Sequence, residues 1–333
     1  MPYTLFQGGR RRRRRRWPAA LAALLVLIAA GAAGGVRLLD RGEDRAPGPR
    51  GAQEDPVLDT GTAPLAGGGT APSALAVRLE DSADAVGARF KRPPRSGLLF
   101  DAGTGRVLWR HDPTRVLPMA SLTKMMTALL VTERVPPGSK VRVTREALRY
   151  RGSGVGMLPR GKAIGVNTML HGLLLPSGND AAIALAQHTA GTVPAFVTAM
   201  NERAKGMGLL CTRFSSPDGY DDRGNHSCAA DLAALARAVL RQPRLARIVR
   251  RPSAVLPFPI KGGRLYLYNN NPLLRMGYRG VTGVKTGYTD VAGRCLVATA
   301  RRGSLVLGVV LLGSPDPAAQ AAKLLDRGFR AAS

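Results

Sequence analysis

Behind seven consecutive arginines, Arg10 to Arg16, stands WPAALAALLVLIAAGAAGGV, a run of twenty residues (17–36) without a charge. As an α-helix it would be about 30 Å long, the depth of a bilayer's hydrocarbon layer. Positive charge at its start predicts that residues 1–16 form a cytoplasmic basic tail and that everything beyond residue 36 lies outside. The expectation is a membrane anchor of the N-terminal helix type, crossing the cell membrane once with an extracytoplasmic domain behind it. Small residues at Ala30 and Ala32 keep a cleaved signal segment, and hence secretion, as the alternative. An arginine run with an apolar span directly after it argues for membrane topology, so no nucleic-acid partner is expected.

From residue 37 to about residue 73 the chain is dominated by Gly, Pro, Ala and Thr, as in APGPRGAQEDP and TGTAPLAGGGTAPSA, with little to bury. It reads as a flexible spacer. The remaining residues, 74–333, are long enough for one domain with a substantial core. The chain carries 49 Lys and Arg against 22 Asp and Glu, a formal charge of +27. A surface of that sign favours anionic surroundings without saying which.

Residues 74–90 carry a helical pattern. SGLLFDAGTGRVLWRHD then places two short apolar runs around Ala102-Gly103-Thr104-Gly105, a hairpin signal. Residues 121–250 show helical periodicity in three segments, HGLLLPSGNDAAIALAQHTA, VPAFVTAMNERAKGMGL and CAADLAALARAVLRQ. After Pro252 the texture turns to strands, YRGVTGVKTGYT, GRCLVATARR and SLVLGVVLLG, and PDPAAQAAKLLDRGFRAA closes as an amphipathic helix. The order predicts an α+β fold: an antiparallel sheet flanked by helices, with a mainly helical subdomain inserted in it.

Within the helical block, PMASLTKMMTALL sets Ser121 and Lys124 three residues apart at a helix start. Serine is a common helix cap and lysine is usually solvated, so the pair alone says little. Two further signatures follow in order: Ser177-Gly178-Asn179 in LLLPSGNDAA and Lys285-Thr286-Gly287 in GVKTGYTD. Together S-x-x-K, S-x-N and K-T-G form a motif set of acyl-transfer enzymes with a serine nucleophile. The chemistry is coherent. His111, His171, His188 and His226 stand in no Ser-His-Asp setting, so Lys124 must act as the base for Ser121. A lysine can do so only if its pKa falls well below the ordinary value of about 10.4. Burial among Met119, Met125 and Met126, the positive end of a helix, and a second cation at Lys285 are the expected means. Ser177 is expected to relay a proton to the leaving amine, and Asn179 to hold substrate or Lys124. Lys285 and Thr286 offer a cation and a hydroxyl to a substrate carboxylate, Gly287 allows close approach, and the backbone N–H groups of Ser121 and Tyr288 could form an oxyanion hole.

With these residues on view, the sequence from about Leu98 to Arg330 resembles the D-alanyl-D-alanine carboxypeptidases, low-molecular-mass penicillin-binding proteins of the DD-peptidase/β-lactamase superfamily. FDAGTGRVLW, FSSPDGYDDRGNHS and GVTGVKTGYTDVAGRCLVATA add to the resemblance. It implies a DD-peptidase/β-lactamase-like fold and a hydrolase without cofactor. Ser121 would attack the D-Ala-D-Ala bond of peptidoglycan stem peptides, and β-lactam antibiotics would inhibit by acylating the same serine. Some members carry a further C-terminal domain and anchor; here anchoring is expected at the N-terminus. Tyr288 after K-T-G could tune substrate choice.

Two rivals remain. A class A-like β-lactamase needs a glutamate for deacylation, and Glu202, the only one after Ser177, stands in a helical context. A catalytically silent, membrane-tethered wall-binding protein would ignore penicillin altogether. Gly156 to Ala163 mimics phosphate-loop spacing but lacks its Ser or Thr, and reads as a turn between helices. Asn225-His226-Ser227 is a sequon expected to lie in a loop without sugar. Three cysteines show no metal spacing; Cys211 and Cys228 could pair across SSPDGYDDRGNH, and Cys295 reads as a core residue. The sequence carries no signal for an oligomeric state.

Overall fold

The structure, a computed structural model, describes residues 74–80, 84–220, 224–260 and 263–332. The basic tail, the apolar span and the spacer lie outside the described residues. Among the described residues no helix is long and apolar enough to cross a membrane.

Five strands build the main sheet: β1 (Ser96–Asp101), β2 (Val107–His111), β3 (Val281–Thr289), β4 (Gly293–Arg302) and β5 (Leu305–Leu312). All neighbours are antiparallel, in the spatial order β2-β1-β5-β4-β3. Side chains on a strand alternate between faces, and here both faces are dry. Leu98, Phe100, Val297, Val310 and Leu312 join the core shared with the helical block. Leu99, Leu296, Ala298, Leu307, Val309 and Leu311 join a second core under the closing helix. That double burial explains the continuous apolar runs in β4 and β5, where a half-exposed strand would alternate with polar residues.

Among the described residues eight α-helices accompany the sheet: α1 (Lys124–Arg134), α2 (Val166–Leu174), α3 (Asn179–Ala190), α4 (Val193–Gly206), α5 (Ala229–Arg241), α6 (Pro243–Val249), α7 (Pro272–Arg275) and α8 (Pro317–Ala331). α1 is buried all round from Lys124 to Val131, packed amid α2 to α6. α8 opens with Asp316 accepting from Ala319 N and with Pro317 at its first position, then lays Leu324, Leu325 and Phe329 on the sheet. The α+β fold with its inserted helical block matches the sequence reading.

Two local expectations give way. Residues 74–80 and 84–90 form no helix; Leu75, Val77 and Leu79 pack on the core with strand-like alternation, and Arg78 bridges to Arg106. Ala-rich composition imitated a helix, while the period of two decided the outcome. Gly156 to Ala163 is a loop leading into a short strand, Ala163–Gly165, paired with Lys140–Arg142. A hairpin of Ser253–Pro257 with Arg264–Tyr268 precedes β3.

Candidate active site

The three motifs meet where the N-terminal end of α1 faces the edge strand β3. Ala120–Thr123 form a 3₁₀ turn that runs directly into α1, and Ala120 enters it with φ +50°. Ser121 is half-buried and Lys124, one turn on, is fully buried. Lys124 Nζ lies 2.9 Å from Ser121 Oγ, 2.6 Å from Asn179 Oδ1 and 2.7 Å from the carbonyl oxygen of Asp218. A neutral amine has two N–H bonds and one lone pair. With the two carbonyl acceptors taking its hydrogens, the lone pair is directed at the Ser121 hydroxyl.

Burial pulls Lys124 down to about 8, against the upward influence of the Asp218 and Asp180 carboxylates. Met119, Met125 and Met126, close to it in the chain, are completely buried. Lys285, expected as a second cation near Lys124, feels the cleft just as strongly. It is itself buried and lowered well below the ordinary value, by burial first and then by the charge of Lys124. Its Nζ donates to its neighbour's carbonyl, Thr286 O, at 2.7 Å. Two amines in one dry cleft oppose each other's charge, and an anion entering beside Lys285 would favour its ammonium form.

Ser177 takes a positive φ of +70° just before α3, a conformation that costs a non-glycine residue energy and aims its side chain inward. Its Oγ is buried without a hydrogen-bond partner. Asn179, at the start of α3, holds Lys124 through Oδ1 and donates through Nδ2 to Arg151 O. Gly287 is the point of closest approach: a Cβ there would fall 3.1 Å from Met119 O, Ala120 Cβ and Ser121 N. Thr286 is half-buried next to it. Tyr288 is exposed at the rim, its hydroxyl donating to Asp290 Oδ1 at 2.9 Å.

Several residues that complete the site went unassigned in the sequence. Asp218 supplies the main-chain oxygen for Lys124, and its carboxylate caps its own turn by accepting from Ser216 Oγ and Tyr220 N. Gly219 packs so tightly that a Cβ would sit 2.2 Å from Ala120 O. Asp180 is buried and accepts from Val155 N, Gly156 N and Ala181 N, while Asn179 N donates to Ser153 O, so the S-x-N turn is clipped to the 151–156 loop. The S-x-D-G turn signal in SSPDG could have flagged Asp218. Nothing in the sequence could have told that Asp180 faces loop amides.

Glu202 is exposed on α4, outside the site. Cys211 and Cys228 stand in a disulfide with Cα atoms 5.6 Å apart, and Cys295 is a buried thiol on β4 opposite Gly287. The cystine sulfurs lie close to the Asp231 carboxylate, which burial raises to about 6.

The family model described as D-alanyl-D-alanine carboxypeptidase matches residues 89–316, spanning all three motifs. The chain belongs to the D-alanyl-D-alanine carboxypeptidase family. Among its relatives in the family, D-alanyl-D-alanine carboxypeptidase DacF of Bacillus subtilis is 35% identical over 243 residues, 71% of this chain and 62% of that protein. Mycobacterium tuberculosis contributes another carboxypeptidase of the family, 35% identical over 245 residues, covering 71% of this chain and 82% of the relative. The fold of a D-alanyl-D-alanine carboxypeptidase solved from M. tuberculosis superposes with a TM-score of 0.68 at 31% identity, over 78% of this chain and 96% of that one. A Streptomyces DD-transpeptidase gives 0.68 at 29% identity, over 73% of this chain and all of its own.

Proposed function

We propose that the protein is a penicillin-sensitive, serine-type D-Ala-D-Ala carboxypeptidase that trims peptidoglycan stem peptides outside the cell. The observation that carries this reading is the 2.9 Å approach of a buried, easily neutralised Lys124 amine to the Ser121 hydroxyl. In the proposed sequence the Ser121 proton passes to Lys124 as Oγ bonds to the carbonyl carbon of the penultimate D-alanine. Negative charge collects on the carbonyl oxygen beside the backbone N–H groups of Ser121 and Tyr288. The C–N bond then breaks, and Ser177, with no competing partner for its hydroxyl, gives its proton to the departing amine and takes the one held by Lys124, which leaves the lysine neutral for the second half. Water, deprotonated by the same lysine, cleaves the acyl-serine and restores the site. Lys285 and Thr286 hold the terminal carboxylate, which supplies the anion that the buried Lys285 lacks. A β-lactam follows the first half of this path and stays on Ser121.

Membrane attachment through residues 17–36, with the catalytic domain extracytoplasmic, completes the proposal and rests on the charge and length of that segment. The exposed position of Glu202 supports the carboxypeptidase reading over a class A-like β-lactamase. The test is D-alanine release from an acyl-D-Ala-D-Ala tripeptide. Release by the parent protein and none by Ser121→Ala is the expected result; equal release by both would overturn the proposal.

A further inference from the structure

At the Thr282 end of β3, roughly 15 Å of strand away from Gly287, a cleft of about 440 Å³ opens between α5, α6 and the ends of β3 to β5. Among the described residues five arginines line it, Arg237, Arg241, Arg247, Arg250 and Arg301, and no acidic or aromatic side chain does. Arg237 is spent on structure: it donates to the carbonyls of Ala102, Gly103, Leu75 and Ala76. The other four are exposed, and among the described residues none of them joins an ion pair. Arginines elsewhere find carboxylates, as Arg110 does in Asp84, Arg203 in Glu133 and Arg302 in Asp326. The nearby Asp101 carboxylate is taken up by the β1–β2 turn, accepting from Gly103 N and Thr104 N.

Four like charges from three elements repel one another, and an apolar-walled concavity focuses their field on whatever enters. Guanidinium forks match phosphate oxygens in pairs, which a carpet of lysines would not do. Leu240 and Val306 on the floor suit the carbon skeleton between phosphates. Without an aromatic to stack on, the cleft offers nothing to nucleobases. A polymer strand can enter the concavity, whereas a planar headgroup layer meets only its rim.

We propose that this cleft is a second binding site, which takes a base-free phosphodiester polyanion of the polyol phosphate type across Arg241, Arg247, Arg250 and Arg301. Bound there, the polymer leaves the Ser121 cleft open, so the protein is held on an anionic matrix while it works on another chain.

The test uses the full chain in nonionic detergent and a synthetic poly(glycerol phosphate), with affinity measured against salt. Arg241→Gln, Arg247→Gln, Arg250→Gln and Arg301→Gln combined should weaken binding at least about tenfold and flatten the log–log salt slope by roughly three, at somewhat under one per lost phosphate contact. An equal neutralisation elsewhere, of exposed Arg134, Lys140, Arg142 and Lys205 to Gln, should change affinity less than about threefold. Arg10 to Arg16 are present in every protein compared and cancel. Both sets should release D-alanine from a small peptide at the parent rate and melt like the parent; if the fourfold variant does not fold, the Arg247→Gln, Arg250→Gln pair takes its place. Equal losses in the two sets, no loss in the first, or a loss confined to phosphatidylglycerol vesicles or to a thymidylate oligonucleotide would overturn the proposal.

Discussion

The acylation rate of Ser121 should follow the titration of Lys124. Burial brings that amine from 10.5 to about 8, which disfavours the ammonium by roughly 3 kcal/mol. A base with that pKa is about 1% neutral at pH 6, about 10% at pH 7 and about 90% at pH 9. The second-order rate constant for acylation by a penicillin, measured by stopped flow, should therefore rise about tenfold from pH 6 to 7 and level off near pH 9. Lys124→Arg keeps the charge but cannot deprotonate, so it should erase the rising limb and lower the plateau by a factor of about 10² to 10⁴. A flat profile in the parent, or an unchanged limb in Lys124→Arg, would refute the assignment of the base.

Three further outcomes follow from the packing. Gly287→Ala puts a methyl group 3.1 Å from the backbone of Met119 and Ser121, so penicillin acylation should fall by about 10²-fold or more while the melting temperature moves little, since the clash lies at the cleft edge. Asp231 is held at about 6 by burial, so between pH 4 and 6 the unfolded chain has lost a proton that the folded chain keeps; stability should fall by roughly 3 kcal/mol across that window, and Asp231→Asn should flatten the denaturant-midpoint profile there. Cys211 and Cys228 are 17 residues apart, so Cys211→Ser with Cys228→Ser should cost about 3 kcal/mol in urea unfolding, and thiol counting of the parent under denaturing conditions should find one free thiol.

What the sequence made legible has a physical pattern. Elements whose side chains repeat over many residues, such as α5, α8 and the strands β3 to β5, declare themselves because burial imposes the period. The proposed nucleophile Ser121, the proposed base Lys124 and the K-T-G strand were readable for another reason: acyl transfer by serine without histidine restricts which residue types can stand together. Residues acting through main-chain atoms were not readable. Asp218 serves Lys124 with a carbonyl that any residue owns, and Asp180 meets amides of a loop more than twenty residues upstream. Lys285 shows a third limit. Its charge was visible, but its burial, and hence which of two lysines yields its proton first, depends on the folded cleft. The misread segment at residues 74–90 failed because alanine-rich composition favours a helix locally, whereas Leu75, Val77 and Leu79 gain more by docking on the core.

The central claim is that Ser121 Oγ becomes the covalent nucleophile because the Lys124 lone pair is aimed at it. Intact mass followed by peptide mapping of penicillin-treated protein at pH 8 tests this directly. A single adduct on the peptide carrying Ser121, slowed by orders of magnitude in Lys124→Ala, is the predicted result. An adduct on any other residue, or one forming at the parent rate in Lys124→Ala, would contradict it.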